Sequence, residues 1–418
     1  MPIQLIKGFK DILPEEMPKW DFVEQQLKSL FRVYHFKEIR LPILEETALF
    51  SRSIGTGTDI VEKEMYTFED RDGKKITLRP EGTASVVRAF IEHHLQGALP
   101  VTKLFYIGPM FRHERPQKGR FRRFYQAGAE TIGVSGPRQD VEMLLLLADF
   151  FKRLKVEGIW LEINSVGCQI CRPPYKALLQ EFLKSKESEL CENCKRRTLT
   201  NPMRVLDCKN ESCQKALKGA PELIQHLGPE CSDHFISVQE GLKRHHIPHR
   251  INPRLVRGLD YYTKTAFEWK SEDAGAQNTV AAGGRYDGLV EELGGPSLSG
   301  IGFAIGLERA IALMDPSLVP DFPLDLFVAA LGQKGEEAAF PVLARVRALG
   351  HSAEMDYQSS GLKSQMKKAD RYRARFVLIL GEDELAKGIG IVRNMATKSQ
   401  DEIPLDQAAE ILSRLISK

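Results

Sequence analysis

Three prolines among residues 315–323, DPSLVPDFP, divide the chain into two segments with different patterns. Proline fixes φ and lacks an amide hydrogen, so neither a helix nor an inner strand is expected to run through this stretch. A chain of 418 residues also exceeds what one hydrophobic core usually supports. We therefore expect two or three domains, with the clearest boundary at these prolines.

Beyond the prolines, apolar runs typical of strands alternate with helical patterns. Strands are predicted at residues 326–331, 352–355 and 376–380, with helices at 336–349 and 361–372. This β-α-β-α-β order indicates a small, mainly parallel sheet in a domain of residues 324–418.

The longer first segment has the pattern of an antiparallel sheet with helices. A helix should follow Pro14 and Pro18, and an apolar helix should span residues 141–155. Strands are predicted at 36–42, 76–78, 104–107, 124–129, 161–165, 256–267 and 279–282, with a final helix at 302–314. Between the strands, residues 168–235 hold all seven cysteines and show a helical pattern. We expect one sheet domain, residues 1–167 and 241–323, interrupted by a helical insertion at 168–240.

Charge and hydropathy narrow the possible partners. The net charge of +3 is small, but basic residues are concentrated at 112–123 and 363–375. Such patches either steer a polyanion or form a solvated surface. The most apolar segment, residues 143–151, contains Asp149 and is too short to span a bilayer. With no signal-like N-terminal segment, we expect a cytoplasmic protein without a membrane partner or a disulfide framework.

Four short motifs suggest chemistry: FRHE at 111–114, RGLDYY at 257–262, GGRYD at 283–287 and GIGFAIGLER at 300–309. A fixed guanidinium suits a phosphate, and paired phenols suit a small aromatic ligand. Alternatively, Arg112 and Glu114 form an ion pair on an exposed strand, and Tyr261 and Tyr262 pack in a sheet. The glycine spacing does not fit a dinucleotide fingerprint, and the sequence contains no P-loop.

In this order, the motifs resemble the active-site set of class II aminoacyl-tRNA synthetases, and of the histidyl-tRNA synthetase family in particular. KGFKDILP at 7–14 and FKEIRLP at 36–42, which is similar to class II motif 1, extend the resemblance over nearly the whole chain. It implies an α+β fold: an antiparallel six-stranded sheet with flanking helices, a helical insertion and a C-terminal α/β anticodon-binding domain. It also implies a homodimer, although an edge strand ended by proline explains motif 1 equally well.

The resemblance further implies ATP-dependent activation of L-histidine to histidyl-adenylate and transfer to the 3′ end of tRNA(His). Magnesium would accompany ATP, and no metal is expected among the site residues. The implied roles are catalysis by Arg112 and Arg257, ATP binding by Arg112, Glu114, Phe124 and Arg309, and histidine binding by Glu81, Thr83, Gln126, Glu130, Arg257, Tyr261 and Tyr262. No general base is needed, because the attacking carboxylate is already ionised at neutral pH.

The alternative is a non-catalytic regulatory subunit of ATP phosphoribosyltransferase that resembles these enzymes. Such chains lack the anticodon-binding domain and typically lose the motif arginines. Here the segment 324–418 is present, and so are Arg112, Arg257 and Arg309.

The cysteines form two C-x-x-C pairs, Cys168 with Cys171 and Cys191 with Cys194, followed by Cys208, Cys213 and Cys231. Paired C-x-x-C motifs are typical of structural zinc sites. The family resemblance argues against zinc, because histidyl enzymes do their chemistry without it, and buried free thiols are the alternative. A structural zinc therefore stays open at this stage, and nothing catalytic is expected to depend on it.

Overall fold

The computed structural model describes residues 2–55, 57–97, 99–116, 120–274 and 278–417. It contains two compact units, Met1–Val319 and Pro320–Lys418, and the boundary between them along the chain lies within the proline-rich stretch. Residues 117–119 of the basic loop lie outside the described residues. The division of the first unit into sheet domain and insertion stays a prediction.

The first unit is built on a large sheet, with a smaller one beside it. Its strands are β1 (Lys37–Glu38), β2 (Leu44–Glu46), β3 (Tyr66–Glu69), β4 (Lys75–Leu78), β5 (Thr102–Phe111), β6 (Arg123–Ile132), β7 (Ile159–Ser165), β8 (His249–Ile251), β9 (Thr263–Ser271), β10 (Thr279–Arg285) and β11 (Gly300–Gly306). Within the described residues, the large sheet has the order β1-β5-β6-β11-β10-β9-β7-β8. The six inner strands are antiparallel as predicted, and the short strands β1 and β8 add parallel edges.

Helices cover this sheet and form the cysteine-rich segment. They are α1 (Met17–Val33), α2 (Thr47–Ile54), α3 (Thr83–Glu92), α4 (Pro137–Arg153), α5 (Arg172–Ser185), α6 (Glu192–Thr200), α7 (Glu211–Ala216), α8 (Pro229–Arg244), α9 (Leu289–Glu292) and α10 (Leu307–Leu313). Proline in the first turn starts α1, α4 and α8, where its missing amide hydrogen costs no bond. A 3₁₀-helix, Pro202–Val205, connects α6 to α7. No helix in the described part of the chain is long and apolar enough to cross a membrane.

Alternation along the strands gives the large sheet two different faces. Side chains such as Phe105, Ala129 and Phe303 belong to the apolar core that includes residues of α1, α4 and α8. Their neighbours in sequence, such as Tyr106 and Glu130, point to the opposite face because successive strand residues alternate. That second face carries the candidate site.

Three predicted elements of this unit have wrong bounds. Residues 256–262 form a loop, since β9 begins only at Thr263. The predicted helix at 302–314 begins at Leu307, because residues 300–306 form strand β11 between β6 and β10. The predicted strand at 36–42 is reduced to Lys37–Glu38, which pairs with β5.

The second unit contains a five-stranded sheet among its described residues, in the order β13-β12-β14-β15-β16. Its strands are β12 (Leu326–Ala330), β13 (Ala353–Met355), β14 (Phe376–Leu380), β15 (Ile389–Asn394) and β16 (Gln400–Pro404), and its helices are α11 (Gly332–Ala348), α12 (Leu362–Arg371), α13 (Glu382–Ala386) and α14 (Ala408–Ile416). The first three strands are parallel as predicted, but the sequence analysis missed the antiparallel hairpin β15–β16. Helices α11 and α14 share a core with Val328 and Leu378, whereas α12 packs with Phe327 and Val377 on the other face.

Candidate active site

A cavity of about 500 Å³ lies on the second face of the large sheet. This volume is in the usual range of small-molecule sites. All but one of the predicted site residues line it: Glu81, Thr83, Arg112, Glu114, Phe124, Gln126, Arg257, Tyr261, Tyr262 and Arg309. The exception is Glu130, which lies behind Thr83.

Glu81 is fixed by the helix that follows it. Its carboxylate accepts hydrogen bonds from the backbone amides of Thr83 at 2.6 Å and Ala84 at 2.9 Å. These amides belong to the first turn of α3 and have no partner within the helix. Burial raises the pKa of Glu81, and the two backbone bonds oppose that effect. The sequence RPEGT thus places an acidic side chain at a helix start, on the cavity wall.

Glu130 is fully buried on β6 and is held by two hydroxyl groups. Its Oε1 accepts a hydrogen bond from Thr83 at 2.7 Å, and its Oε2 accepts one from Tyr286 at 2.7 Å. Burial raises the pKa of Glu130 to about 8. On the neighbouring strand the register places Gly302 opposite Glu130, where an added Cβ would lie 1.6 Å from Oε2. Glu130 therefore supports Thr83 from behind.

Aromatic rings form the wall beside this acidic pair. The ring centres of Tyr261 and Tyr262 are 4.7 Å apart, and those of Tyr261 and Tyr286 are 5.9 Å apart. Burial and the nearby carboxylate of Glu81 raise the pKa of Tyr261 well above its ordinary value, so the phenol stays neutral. Tyr106 lies behind the glycine of RPEGT, Gly82, where an added Cβ would approach its ring to 2.2 Å.

Arg112 lies at the end of a strand and not within it. The alternative of an ion pair on an exposed strand is wrong about the strand, because β5 ends at Phe111, and the charged atoms of Arg112 and Glu114 are 4.0 Å apart. The chain turns there: the amide of His113 donates to Glu64 O at 2.7 Å, and that of Glu114 donates to Arg112 O at 2.8 Å. The guanidinium of Arg112 donates to Pro80 O at 2.9 Å and lies 5.4 Å from the ring centre of Phe124.

Arg257 faces the cavity from the loop that precedes β9. It pairs with Glu268, whose carboxylate also contacts Lys270 at 3.0 Å and Thr279 at 3.1 Å. Burial raises the pKa of Glu268, but Arg257 and Lys270 outweigh it, and the net shift is downward. Arg257 also lies close enough to Arg112 to lower its pKa, in addition to the larger effect of burial. The two arginines therefore create a positive potential in one cavity.

The third arginine comes from the glycine-rich motif. Arg309 follows β11 in the first turn of α10 and donates to Thr279 O at 2.5 Å. The preceding Glu308 accepts the backbone amide of Tyr125 at 2.9 Å, and burial raises its pKa to about 7. Arg120, which also lines the cavity, pairs with Glu114.

The sequence analysis missed several residues of the site. Glu268 and Lys270 line the cavity. They are two residues apart on β9, so the alternation of strand side chains could have predicted that both point to one face. No sequence pattern indicated a role for Arg204. It lies in the cysteine-rich segment and donates to the backbone carbonyls of Arg257 at 3.0 Å and Gly258 at 2.5 Å.

The motif GGRYD separates into two roles. Tyr286 belongs to the site through Glu130. Arg285 is fully buried and pairs with Asp140 at 2.5 Å, and Asp140 also contacts His234 at 3.0 Å. That buried ion pair links β10 to α4 and α8, so the arginine is structural.

Two family models match this sequence. The one described as "Histidyl-tRNA synthetase" matches residues 8–310, and the one described as "Anticodon binding domain" matches residues 325–415.

Full-length relatives agree with these matches. The histidine–tRNA ligase of Desulfatibacillum aliphaticivorans is 51% identical over 418 residues and covers 100% of both chains. That of Syntrophotalea carbinolica is 50% identical over 412 residues, which are 99% of this chain and 98% of the relative. Among solved structures, the apo histidyl-tRNA synthetase of S. aureus is similar with a TM-score of 0.82 at 38% identity, covering 99% of this chain and 100% of that one.

Proposed function

The chain belongs to the histidyl-tRNA synthetase family, and from this premise we propose how its cavity performs that family's reaction. L-Histidine reacts with ATP to give histidyl-adenylate and pyrophosphate, and the histidyl group is then transferred to the 3′ end of tRNA(His). One observation carries the proposal: Arg112 and Arg257 line the same cavity as Glu81, Thr83 and the two tyrosines.

The amino acid binds at the acidic end of the cavity. Thr83 donates its hydroxyl hydrogen to Glu130, so its oxygen lone pairs are left to accept a hydrogen bond from the α-ammonium group. Glu81 adds a carboxylate next to it. Glu130 acts through Thr83, by holding this hydroxyl in one orientation.

Gln126 and the tyrosines surround the side chain of the bound histidine. Gln126 Oε1 is buried and has no hydrogen-bond partner among the described residues, although it belongs to a residue that lines the cavity. Burying an acceptor without a hydrogen bond is unfavourable in free energy, unless a ligand supplies the donor. An N–H group of the imidazole fits this need, and the rings of Tyr261 and Tyr262 pack against the imidazole plane.

ATP binds at the basic end. Phe124 and Arg309 offer flat surfaces on which adenine can stack, and Glu114 can accept a hydrogen bond from its amino group. Arg112 and Arg257 then contact the α-phosphate. Magnesium bound together with ATP would neutralise phosphate charge and favour the departure of pyrophosphate.

The chemical step needs orientation and charge stabilisation. A carboxylate oxygen of histidine forms a bond to the α-phosphorus, and the bond from this phosphorus to the bridging oxygen of pyrophosphate breaks. Negative charge accumulates on the α-phosphate oxygens, where the two guanidinium groups can donate hydrogen bonds. Both arginines are held by protein contacts before substrate binds, which limits reorganisation during the reaction.

The tRNA is bound by surfaces outside the cavity. Arg120 and Phe121 of the basic segment line the cavity, and the exposed Lys363, Lys367 and Arg371 follow one side of α12. Their charges suit the phosphate backbone. We further propose a homodimer that uses residues 36–42, and a cytoplasmic location.

The regulatory-subunit alternative is not favoured. The arginines that such chains typically lose all line the cavity here, and a full second unit matches the anticodon-binding domain.

Pyrophosphate exchange with each of the twenty amino acids, in the absence of tRNA, tests the proposal. We expect exchange with histidine alone, followed by histidylation of tRNA(His) when it is added. If folded protein binds histidine but supports no exchange, the proposal is wrong and the regulatory alternative gains support.

A further inference from the structure

Four cysteine sulfurs converge within the helical segment, and none of these four cysteines is among the residues that line the cavity. The Sγ atoms of Cys191, Cys194, Cys208 and Cys213 all lie within 4.8 Å of one another. Zinc held by four thiolates at about 2.3 Å places the sulfurs roughly 3.8 Å apart. From this geometry we propose that these four cysteines form a structural zinc site.

The surroundings suit a closed site. Cys194 and Cys213 are fully buried, and Cys208 is nearly so. The backbone amide of Cys191 donates to Cys213 Sγ at 3.2 Å, a contact that stabilises a metal-bound thiolate. Four sulfur donors fill the tetrahedral coordination of zinc and leave no open position for a substrate.

A metal would also join two short helices of this segment. Helix α6 buries only Cys194 and Thr198, and α7 buries only Cys213 and Ala216. Helices of nine and six residues are marginal without an apolar face that packs. Cys194 and Cys213 also pack in the core that contains Leu206 and Leu217, and a metal bound by their sulfurs would cross-link these two short helices.

A second cysteine cluster in the same chain provides a contrast. Cys168, Cys171 and Cys231 also lie within 4.8 Å of one another, but no fourth donor joins them among the described residues. Helix α5, which follows Cys171, and helix α8, which contains Cys231, carry apolar faces of their own, with Tyr175, Leu179 and Leu183 buried in α5 and Phe235, Val238 and Leu242 buried in α8. We assign these three thiols to core packing.

The zinc-bound segment reaches the active site. Between Cys194 and Cys208, Asn201 contacts the carboxylate of Asp260 at 3.2 Å, and Arg204 donates to the backbone carbonyls of Arg257 and Gly258. The metal would thereby position Arg257, contrary to the expectation that nothing catalytic depends on it. This step rests on the proposed function of Arg257, whereas metal binding does not.

Metal analysis of protein purified from zinc-supplemented cells without chelators tests the site. We expect about one zinc per chain, loss of zinc in Cys194→Ser and Cys213→Ser, and retention in the matched controls Cys171→Ser and Cys231→Ser. Wild-type protein without zinc, or a Cys213→Ser variant that keeps it, would overturn the proposal. So would a peptide map of the purified wild-type protein that shows a disulfide within the four-cysteine set.

Cobalt substitution tests the metal site in the wild-type protein, so the result does not depend on whether the cysteine variants fold. Cobalt should give the strong visible absorption of a tetrahedral four-sulfur site, and added zinc should abolish it. A spectrum without sulfur-to-cobalt charge transfer contradicts the proposal.

The effect of the metal site on the position of Arg257 is tested by pyrophosphate exchange. Cys213→Ser should slow pyrophosphate exchange on the order of tenfold, and it should add little to the loss caused by Arg257→His, because both changes act through one guanidinium. Independent, multiplicative losses would show that the zinc site does not act through Arg257, while leaving the metal analysis to decide the site itself.

Discussion

Burial and hydrogen bonding act in opposite directions on the carboxyl group of Glu130. Two hydroxyl donors favour its charged form, yet desolvation is the larger effect and raises the pKa to about 8. A carboxyl group that titrates near neutrality beside the proposed ammonium site links histidine binding to proton release. The ammonium would stabilise the carboxylate and lower this pKa on binding.

Glu130→Gln should flatten the pH dependence of stability. The native state holds a proton that the unfolded chain, with a pKa near 4.5, releases, so wild-type stability falls as pH rises from about 4.5 to about 8. This group contributes at most about 1.4 kcal/mol per pH unit. Urea unfolding of both proteins at pH 5.5 and pH 7.5 measures the difference. Equal pH slopes in the two proteins would show that Glu130 titrates normally.

Arg257→His should leave folding intact and slow adenylation about a hundredfold or more, as the loss of a donor to developing charge does. Pyrophosphate exchange with histidine measures the rate. Arg250→His is the matched control, because Arg250 is exposed, packs on Trp160 and does not line the cavity. Near-normal exchange with failed transfer to tRNA would assign Arg257 to the second step.

At the level of elements, the site depends on how closely β11 approaches β6. Gly302 faces Glu130 across this pair, and the strand then passes directly into α10, which carries Arg309. The glycine motif thus has two structural effects: it leaves room for the buried Glu130, and it places Arg309 at a helix start on the cavity wall.

Gly302→Ala should destabilise the protein by about 1–3 kcal/mol and weaken histidine binding, because the new methyl group overlaps Glu130. Chemical denaturation and calorimetric titration with histidine measure the two effects. Gly136→Ala is the control, since an added Cβ there meets nothing within 4 Å. Unchanged binding in Gly302→Ala would argue against a role for Glu130 in the amino-acid site.

At the level of the whole molecule, adenylation and tRNA charging can be separated. The cavity lies in the first unit, whereas the second unit has its own core and presents an exposed basic side of α12. Pyrophosphate exchange needs no tRNA, so a defect confined to the second unit should appear in charging alone.

Reversing three charges, in the variant Lys363→Glu, Lys367→Glu and Arg371→Glu, should raise KM for tRNA and reduce its salt dependence, with exchange unchanged. The control reverses the same number of charges at Lys334, Lys387 and Arg414, of which Lys334 and Arg414 lie on helices that pack on the opposite sheet face. Equal effects of both variants would indicate a general effect of net charge.

By itself the sequence located five of the six inner antiparallel strands, all but β11, and the three parallel strands of the second unit, whereas the fold class followed from the family resemblance. Apolar periodicity, proline and glycine determine local structure over a few residues, so strands and helices of this kind can be predicted from the sequence. The hairpin β15–β16 escaped detection because its residues lack a clear alternation of apolar side chains. The same local motifs named the residues that line the cavity, including Arg112, Arg257 and Arg309.

Only the tertiary structure decided which of these residues line the cavity and which lie behind it. Glu130 and Arg285 look equally functional in the sequence, but one holds Thr83 and the other neutralises Asp140 in the core. Arg204 and the four converging cysteines are brought to their partners by the packing of segments that are far apart in sequence. Burial, register and contact at this range depend on the complete chain, and no local pattern encodes them.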